Sequence, residues 1–211
     1  MSRGAATLGV LVLLSGCTTV GRYEPKHFAE WRIAAEKKLD GRALVLTTPE
    51  EDAYVWSGRP TGFVGSAITL TIPFGVLARE SATRVFGDLF TGGAAASNEP
   101  SHVSDYRAVI SPRVIAFQHR YTWSSLFTQS SEFSLSARVS LLDAHGAARF
   151  EKTYDSGRLE VPGREDLPAA ESLVRAVHIA IQDLMLQAAA DVRAELVRST
   201  PAPAGPTAGS P

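Results

Sequence analysis

Residues 132–142 alternate strictly between apolar and polar side chains, and this run constrains the fold more than any other part of the chain. The apolar positions are Phe133, Leu135, Ala137, Val139 and Leu141, with serine or arginine between them. Successive residues of a strand point to opposite faces, so the pattern predicts a strand with one buried and one wetter face. Such strands are typical of antiparallel sheets.

The neighbouring segments support the same sheet. Residues 106–123 also alternate, and residues 143–146 begin with aspartate and end with glycine, a combination typical of a hairpin turn. Residues 149–154 would then return as the partner strand. Further strands are predicted at 43–47, 53–56 and 67–72, where β-favouring residues are bounded by turn-forming ones. Together these segments predict an antiparallel sheet of about six strands.

Helical spacing of apolar residues predicts the remaining elements. Residues 26–40 and 76–90 fit shorter helices, and residues 167–198 fit a long C-terminal helix that carries Leu173, Val177 and Ile181 on one stripe. Residues 94–103 are predicted to be a loop. The fold class is therefore α+β, with helices packed on one face of the sheet.

The N-terminus has the layout of a secretory signal peptide. Arg3 precedes an apolar run over residues 5–14, which as a helix is about 15 Å long, roughly half of a bilayer core. Such a run suits a signal peptide and is too short to span a membrane. The small residues Ser15 and Gly16 follow, and then Cys17. Since Cys17 is the only cysteine, an internal disulfide and a cysteine-based metal site are excluded.

The stretch Leu14-Ser15-Gly16-Cys17 resembles the bacterial lipobox. This resemblance implies that Cys17 is the lipidation site and the first residue of the mature protein, held to a membrane by acyl chains. Thr18 stands where aspartate tends to mark inner-membrane retention. By resemblance this favours the periplasmic face of the outer membrane over the inner membrane, for a Gram-negative host. The alternative is an ordinary secretory signal peptide with a chance cysteine.

The chain therefore divides into four parts. Residues 1–16 form a lipoprotein signal peptide, and residues 17–25 form a lipidated tether. Residues 26–199 form a single α+β domain. Residues 200–211 contain four prolines and no charged residue, which predicts a disordered tail.

Composition and motifs argue against several functional classes. A formal net charge of −1 gives no basic field for nucleic acid, so no nucleic-acid partner is expected. The sequence has no Gly-x-Ser-x-Gly elbow, P-loop, HExxH or GxGxxG pattern, so we expect no cofactor, metal or catalytic residues. His119 is interpreted as a hydrogen-bonded surface or rim residue. The acidic pair Glu50 and Glu51 is assigned to a loop that points to water.

An aromatic cluster near the end of a predicted strand is the candidate partner contact. It consists of Phe117, Tyr121, Trp123 and Phe127. If exposed, these side chains would anchor a partner protein or acyl chains. The alternative, which we favour, is that they close the core beneath the long helix.

A broader resemblance covers residues 68–198. It rests on Ile72-Pro73-Phe74-Gly75, Tyr106, Ser111-Pro112-Arg113-Val114, Leu141-Leu142-Asp143 with Gly146, and Tyr154-Asp155-Ser156-Gly157. Here the chain is similar to envelope lipoproteins of unassigned role and, in plan only, to auxiliary lipoproteins of ABC-type transport systems and lipopolysaccharide-assembly lipoproteins. The resemblance implies a non-catalytic accessory role beside an envelope protein partner.

Two other functions remain open from the sequence. The first is lipid binding in a groove between the long helix and the sheet. It depends on whether Leu173, Val177 and Ile181 meet the sheet directly or leave a tunnel. The second is an envelope hydrolase, which would need histidine and acidic side chains that converge in a cleft.

Overall fold

The computed structural model describes residues 18–20, 38–61, 69–100, 103–123, 129–161 and 169–199. In chain order the elements are β1 (Thr18–Val20), β2 (Ala43–Leu46), α1 (Pro49–Asp52), β3 (Trp56–Gly58), β4 (Thr69–Ile72), α2 (Phe74–Leu89), β5 (Ala94–Ser97), a 3-10 turn (Val103–Asp105), β6 (Ala108–Trp123), β7 (Gln129–Leu142), β8 (Ala148–Val161) and α3 (Ala169–Arg198).

The main sheet has the strand order β5-β2-β6-β7-β8. Strands β6, β7 and β8 form the expected antiparallel meander, but β2 runs parallel to both of its neighbours, β5 and β6. A smaller sheet has the order β1-β4-β3, in which β4 is parallel to β1 and antiparallel to β3.

The prediction of one antiparallel sheet of about six strands was therefore wrong, since the sheet is mixed. A parallel pair needs a long crossover, and here α2 lies on the chain between β2 and β5. Ala43–Leu46 is a continuous apolar run that is buried over most of its length, a pattern typical of parallel strands, whereas its β propensity alone does not indicate the direction of its neighbours.

The core lies between the main sheet and the helices α2 and α3. The alternating apolar residues of β7 are buried in one cluster with Leu173, Val177 and Ile181 of α3. These three helix residues have no exposed surface. Helix α3 packs against β7, β8 and α2. The long helix therefore meets the sheet directly along this stripe.

Several element boundaries differ from the predicted ones. Leu39 forms a parallel bridge with Phe90, so the helix predicted over 26–40 does not reach its expected end. Residues 94–97, predicted as part of a loop, form β5, and β8 continues to Val161. The expected turn at 49–52 is the helical α1.

Other predictions concern segments outside the described residues. The signal peptide, Cys17, residues 26–37 and the tail from residue 200 belong to this group. Thr18–Val20, within the predicted tether, form β1. Among the helices in the described part of the chain, none combines the length and apolar character needed to cross a bilayer.

Candidate functional site

Strand β6 is much longer than β2, its neighbour on one side. Pairing with β2 ends at Ile110, whereas pairing with β7 continues to Trp123. Among the described residues, the next backbone contact on the β2 side is the Thr61 amide, which donates to the His119 carbonyl at 2.9 Å. Within the described ranges, residues 111–118 of β6 therefore have no strand partner on that side. An open edge of this kind is a template for another strand.

The two outer edges of the sheet carry features that usually protect an exposed strand. Strand β8 carries exposed charged residues along its length, and a register shift against β7 accompanies Gly157, whose φ is 64°. Strand β5 is only four residues long. Charges, bulges and short length are the usual protection of sheet edges. The open stretch of β6 has two features of the same kind, Pro112 and the register shift between Val114 and Ala116, so what distinguishes it from the outer edges is the groove beside it.

A groove of about 390 Å³ lies against the open edge, and we call it the β6 groove. It is bordered by the end of β2, by α1, by the start of α2 and by β6. Its lining residues are Thr47, Thr48, Glu50, Glu51, Tyr54, Phe74, Gly75, Ala78, Pro112, Arg113 and Val114.

A capping box fixes the α1 wall of the β6 groove. The Glu51 amide donates to the Thr48 hydroxyl at 3.2 Å, and the Thr48 amide donates to the Glu51 carboxylate at 2.9 Å. The other carboxylate oxygen of Glu51 accepts a hydrogen bond from the Arg113 guanidinium on β6. Glu51 is therefore a bridging residue, and its assignment to a water-facing loop was wrong.

Gly75 lets α2 approach α1 closely. Its amide donates to the Tyr54 carbonyl at 3.0 Å. A Cβ atom at this position would lie 2.0 Å from the Glu51 carbonyl oxygen and 2.5 Å from that of Asp52, both of them backbone atoms. Arg79, one turn further along α2, donates to the Asp52 carboxylate. The groove wall is thus held by backbone contact and by an ion pair.

The floor of the β6 groove is apolar. Phe74, Ala78 and Val114 are buried there. The Tyr54 ring stacks on Phe74 with the ring centroids 6.3 Å apart, yet Tyr54 is 43% exposed. Ile115, at the register shift between β6 and β7, is also exposed. An apolar floor beneath an open strand edge suits a peptide that carries an apolar side chain.

A second groove, of about 260 Å³, lies further along β6, and we call it the arginine groove. Its lining residues are Thr61, Gln118, His119, Arg120, Glu132, Phe133, Ser134 and Arg158. One carboxylate oxygen of Glu132 accepts hydrogen bonds from Nε of Arg120 and from Nε of Arg158, both at 2.6 Å, and from Nη2 of Arg158. Two cations thus share one anion, and the lining carries a net positive charge.

His119 is only 2% exposed, between Trp56, Phe117 and Tyr121. Neither ring nitrogen has a hydrogen-bond partner among the residues the structure describes. Burial lowers the pKa of His119 to about 4, because the charged ring would be desolvated. The interpretation of His119 as a hydrogen-bonded surface or rim residue was therefore wrong.

The predicted aromatic cluster divides between described and undescribed parts of the chain. Phe117 and Tyr121 are buried in the core, where the Phe117 ring meets Trp56 of β3 and Phe74 of α2. Trp123 is the last residue of β6, but its side chain lies outside the described part, as does Phe127. Cys17 also lies outside it. Partner contact through Trp123 and Phe127 stays a prediction.

The residues of the β6 groove were not predicted from the sequence as a site. One pattern pointed to its wall, since Thr48-Pro49-Glu50-Glu51 has the threonine, N-terminal proline and glutamate of a capped helix start. No pattern pointed to Arg113 or Tyr54. In the described ranges, no group of three histidine, cysteine or acidic side chains is placed to hold a metal ion.

The chain matches no protein-family model and no curated protein sequence. Among solved structures it is similar to a Xanthomonas campestris protein of family DUF330, with 15% identity and a TM-score of 0.47 over 83% of this chain and 91% of that chain.

Two further similar structures are lipoproteins. The Acinetobacter baumannii minor lipoprotein has 13% identity and a TM-score of 0.35 over 73% of this chain and 92% of that one. The Shewanella oneidensis rare lipoprotein B has 16% identity and a TM-score of 0.35 over 74% of this chain and 98% of that one.

Replacing Gly75 by alanine should destabilise the domain, because the new methyl group meets backbone carbonyls that have no rotamer to change. Overpacking of this kind costs about 1–3 kcal/mol. Gly87→Ala in the same helix is the matched control, since its Cβ would meet nothing closer than 3.6 Å. Alanine also favours a helix interior over glycine. Urea unfolding of both variants tests this, and equal stabilities would contradict the close contact at Gly75.

The free energy of unfolding should fall as the pH drops from about 6.5 to about 4. Over this range His119 becomes protonated in the unfolded chain but stays neutral in the folded protein. The slope contributed by one such residue is at most about 1.4 kcal/mol per pH unit. His119→Leu should remove this contribution, whereas His145→Gln, in an exposed turn, should keep it. Unfolding free energies at pH 7 and pH 5 give the comparison. An unchanged pH dependence in His119→Leu would rule out the assignment.

Proposed function

We propose that this chain is a lipid-anchored lipoprotein of the bacterial outer membrane. In this proposal its domain faces the periplasm and acts as a non-catalytic interaction module in an envelope assembly or transport complex. The module binds an extended segment of a partner protein by strand addition at the β6 groove. One observation carries the proposal: within the described part of the chain, β6 has no strand partner on the β2 side along residues 111–118, beside a groove with an apolar floor.

Strand addition fits this edge because backbone groups there supply the affinity. An incoming strand would pair with β6 between Ile110 and the Thr61 contact at His119. Pro112 has no N–H to donate, so pairing would rely on its neighbours. Alternate side chains of the added strand would point into the groove, where Tyr54 and Phe74 offer an aromatic pocket. The pocket would supply the selectivity that backbone pairing lacks.

The rim of the β6 groove sets the charge of a suitable partner. Glu50 and Glu51 line one side and Arg113 the other, and Glu51 already engages Arg113. The remaining carboxylate, on Glu50, favours a basic residue in the partner segment. An acidic residue at that position would be repelled.

The lipid anchor would confine the module to the surface where its partner works. Each buried methylene contributes about 0.8 kcal/mol to membrane binding, and two anchoring signals give stable attachment. Confinement raises the effective concentration of the groove near a membrane-bound partner. A modest affinity at the groove would then suffice for complex formation.

The anchor is tested by the mass of the mature protein. We expect a chain that begins at Cys17 and carries acyl groups, and that sediments with membranes. Cys17→Ser should lose both the acyl mass and the membrane association, whereas Thr19→Ser should keep them. An unmodified Cys17 thiol, or a mature chain that begins elsewhere, would refute the tethering role.

The groove is tested by site-specific photo-crosslinking in intact cells. A photoreactive residue in place of Tyr54 should yield a discrete protein adduct, whereas one in place of Ala144, in the exposed turn between β7 and β8, should not. Tyr54→Ala should weaken binding of the identified segment about tenfold or more, because a central aromatic contact is lost. Val197→Ala, which removes an exposed apolar side chain from α3, is the control. Equal adducts from both positions would contradict a docking site at the groove.

A further inference from the structure

The direction of β1 shows at which end of the domain the chain emerges from its N-terminal segment. Thr18 lies opposite Thr69, and Val20 lies opposite Thr71, so β1 and β4 run the same way. Strand β3 runs the opposite way, with Gly58 opposite Leu70. Thr18 therefore lies at the end of the small sheet where β3 finishes.

Contacts of β3 relate this end to the main sheet. Tyr54 lines the β6 groove with Val114, the Trp56 ring meets the Phe117 ring at 4.9 Å, and Thr61 bonds to His119. Residues 54–61 thus run alongside β6 in the direction from Val114 towards His119. Measured along the direction of β6, Thr18 accordingly lies near His119, at the same end of the main sheet as the arginine groove.

This placement leaves little space between the domain and an acylated Cys17. Consecutive Cα atoms are 3.80 Å apart, and Thr18 is already paired in a strand. An anchor at Cys17 would thus hold Thr18 within about one residue length of the lipid surface. A long flexible tether would have permitted any orientation, whereas this connection permits few.

We propose that this end of the sheet rests on the membrane and that Arg120 and Arg158 in the arginine groove contact the phosphate groups of its lipids. The proposal rests on the lipid anchor proposed above and goes beyond it, since it assigns an orientation and a headgroup contact. The partner is the bilayer that holds the acyl chains.

The chemistry of the arginine groove suits phosphate. A guanidinium has five N–H donors, and the bonds to Glu132 use one donor of Arg120 and two of Arg158. Arginine binds phosphate oxygens through paired N–H donors. The Glu132 side chain is only 15% exposed and holds both arginines in place. The side chains of Arg120 and Arg158 remain 44% and 63% exposed.

Among the described residues of these strands, the other charges near the arginine groove are nearly balanced. Glu160 of β8 lies opposite Glu132 of β7, and Arg59 follows the end of β3. Glu160 and Arg59 are both exposed. With Arg120, Arg158 and Glu132 these groups sum to one positive charge. The attraction is therefore local to the two arginines and does not require a strongly basic surface.

The test uses the full acylated protein in vesicles of phosphatidylcholine mixed with phosphatidylglycerol. An acylated Cys17 has no free thiol, so a cysteine introduced elsewhere takes a fluorophore at a single place. Glu160→Cys labels the proposed membrane end. Ala144→Cys labels the β7–β8 turn, about 35 Å further along the strands. A quencher attached to lipid headgroups reports how close each label lies to the surface.

We expect several-fold stronger quenching at position 160 than at position 144. Replacing Arg120 and Arg158 by glutamine should reduce the quenching at 160. The control is glutamine at Arg138 and Arg149, which removes the same charge nearer the turn and should leave quenching unchanged. Equal quenching at both labels, or an equal effect of the two double variants, would overturn the proposal.

The same experiment separates this inference from the anchor itself. Protein that floats with the vesicles but shows no preferred end would retain the anchor and refute the orientation. Protein that fails to float and lacks acyl mass would refute the anchor, and with it the basis of the orientation.

Discussion

The pairing of β6 with β7 determines where most of this molecule lies. It continues from Val109 opposite Leu142 to Trp123 opposite Gln129, with one register shift at Val114 and Ala116. Because side chains alternate along both strands, this register turns one apolar face towards α2 and α3 and leaves the other polar. It also makes β6 far longer than β2, and the excess length creates the open edge. Core, groove and edge therefore follow from one long hairpin.

The sequence predicted the elements whose side chains are half buried. Strand β7 alternates strictly, since one face lies in the core and the other in water, and its prediction was confirmed. Strand β5 consists of three alanines and a serine, which have no strand pattern. It forms because Ala43–Leu46 offers a parallel partner and because small side chains fit beside α2. Such a strand depends on tertiary contacts that no local pattern records.

The candidate site was harder to predict for a similar reason. The aromatic residues of β6 form a conspicuous pattern in the sequence. Alternation does not show, however, whether a face of the strand is covered by other elements. Phe117 and Tyr121 lie on a covered face and are buried. The β6 groove arises from chain lengths and directions: β2 ends early, α1 turns away, and Gly75 admits α2. Tyr54 and Arg113 become neighbours only through this topology. The capping pattern at Thr48 and Glu51 was the one local indication.

Anchor, orientation and groove are linked by distance along β6. Val114, at the groove, is six residues from Arg120, which corresponds to about 20 Å of strand. If the arginine groove rests on lipid phosphates, the β6 groove is held at a short and fixed height above the bilayer. A protein bound to the same membrane would meet the groove whenever its segment lies at that height, so membrane-bound partners are favoured over more distant ones. Fixed height thus selects partners by location before side chains select them by fit, and a short connection after Cys17 achieves this where a long tether would not.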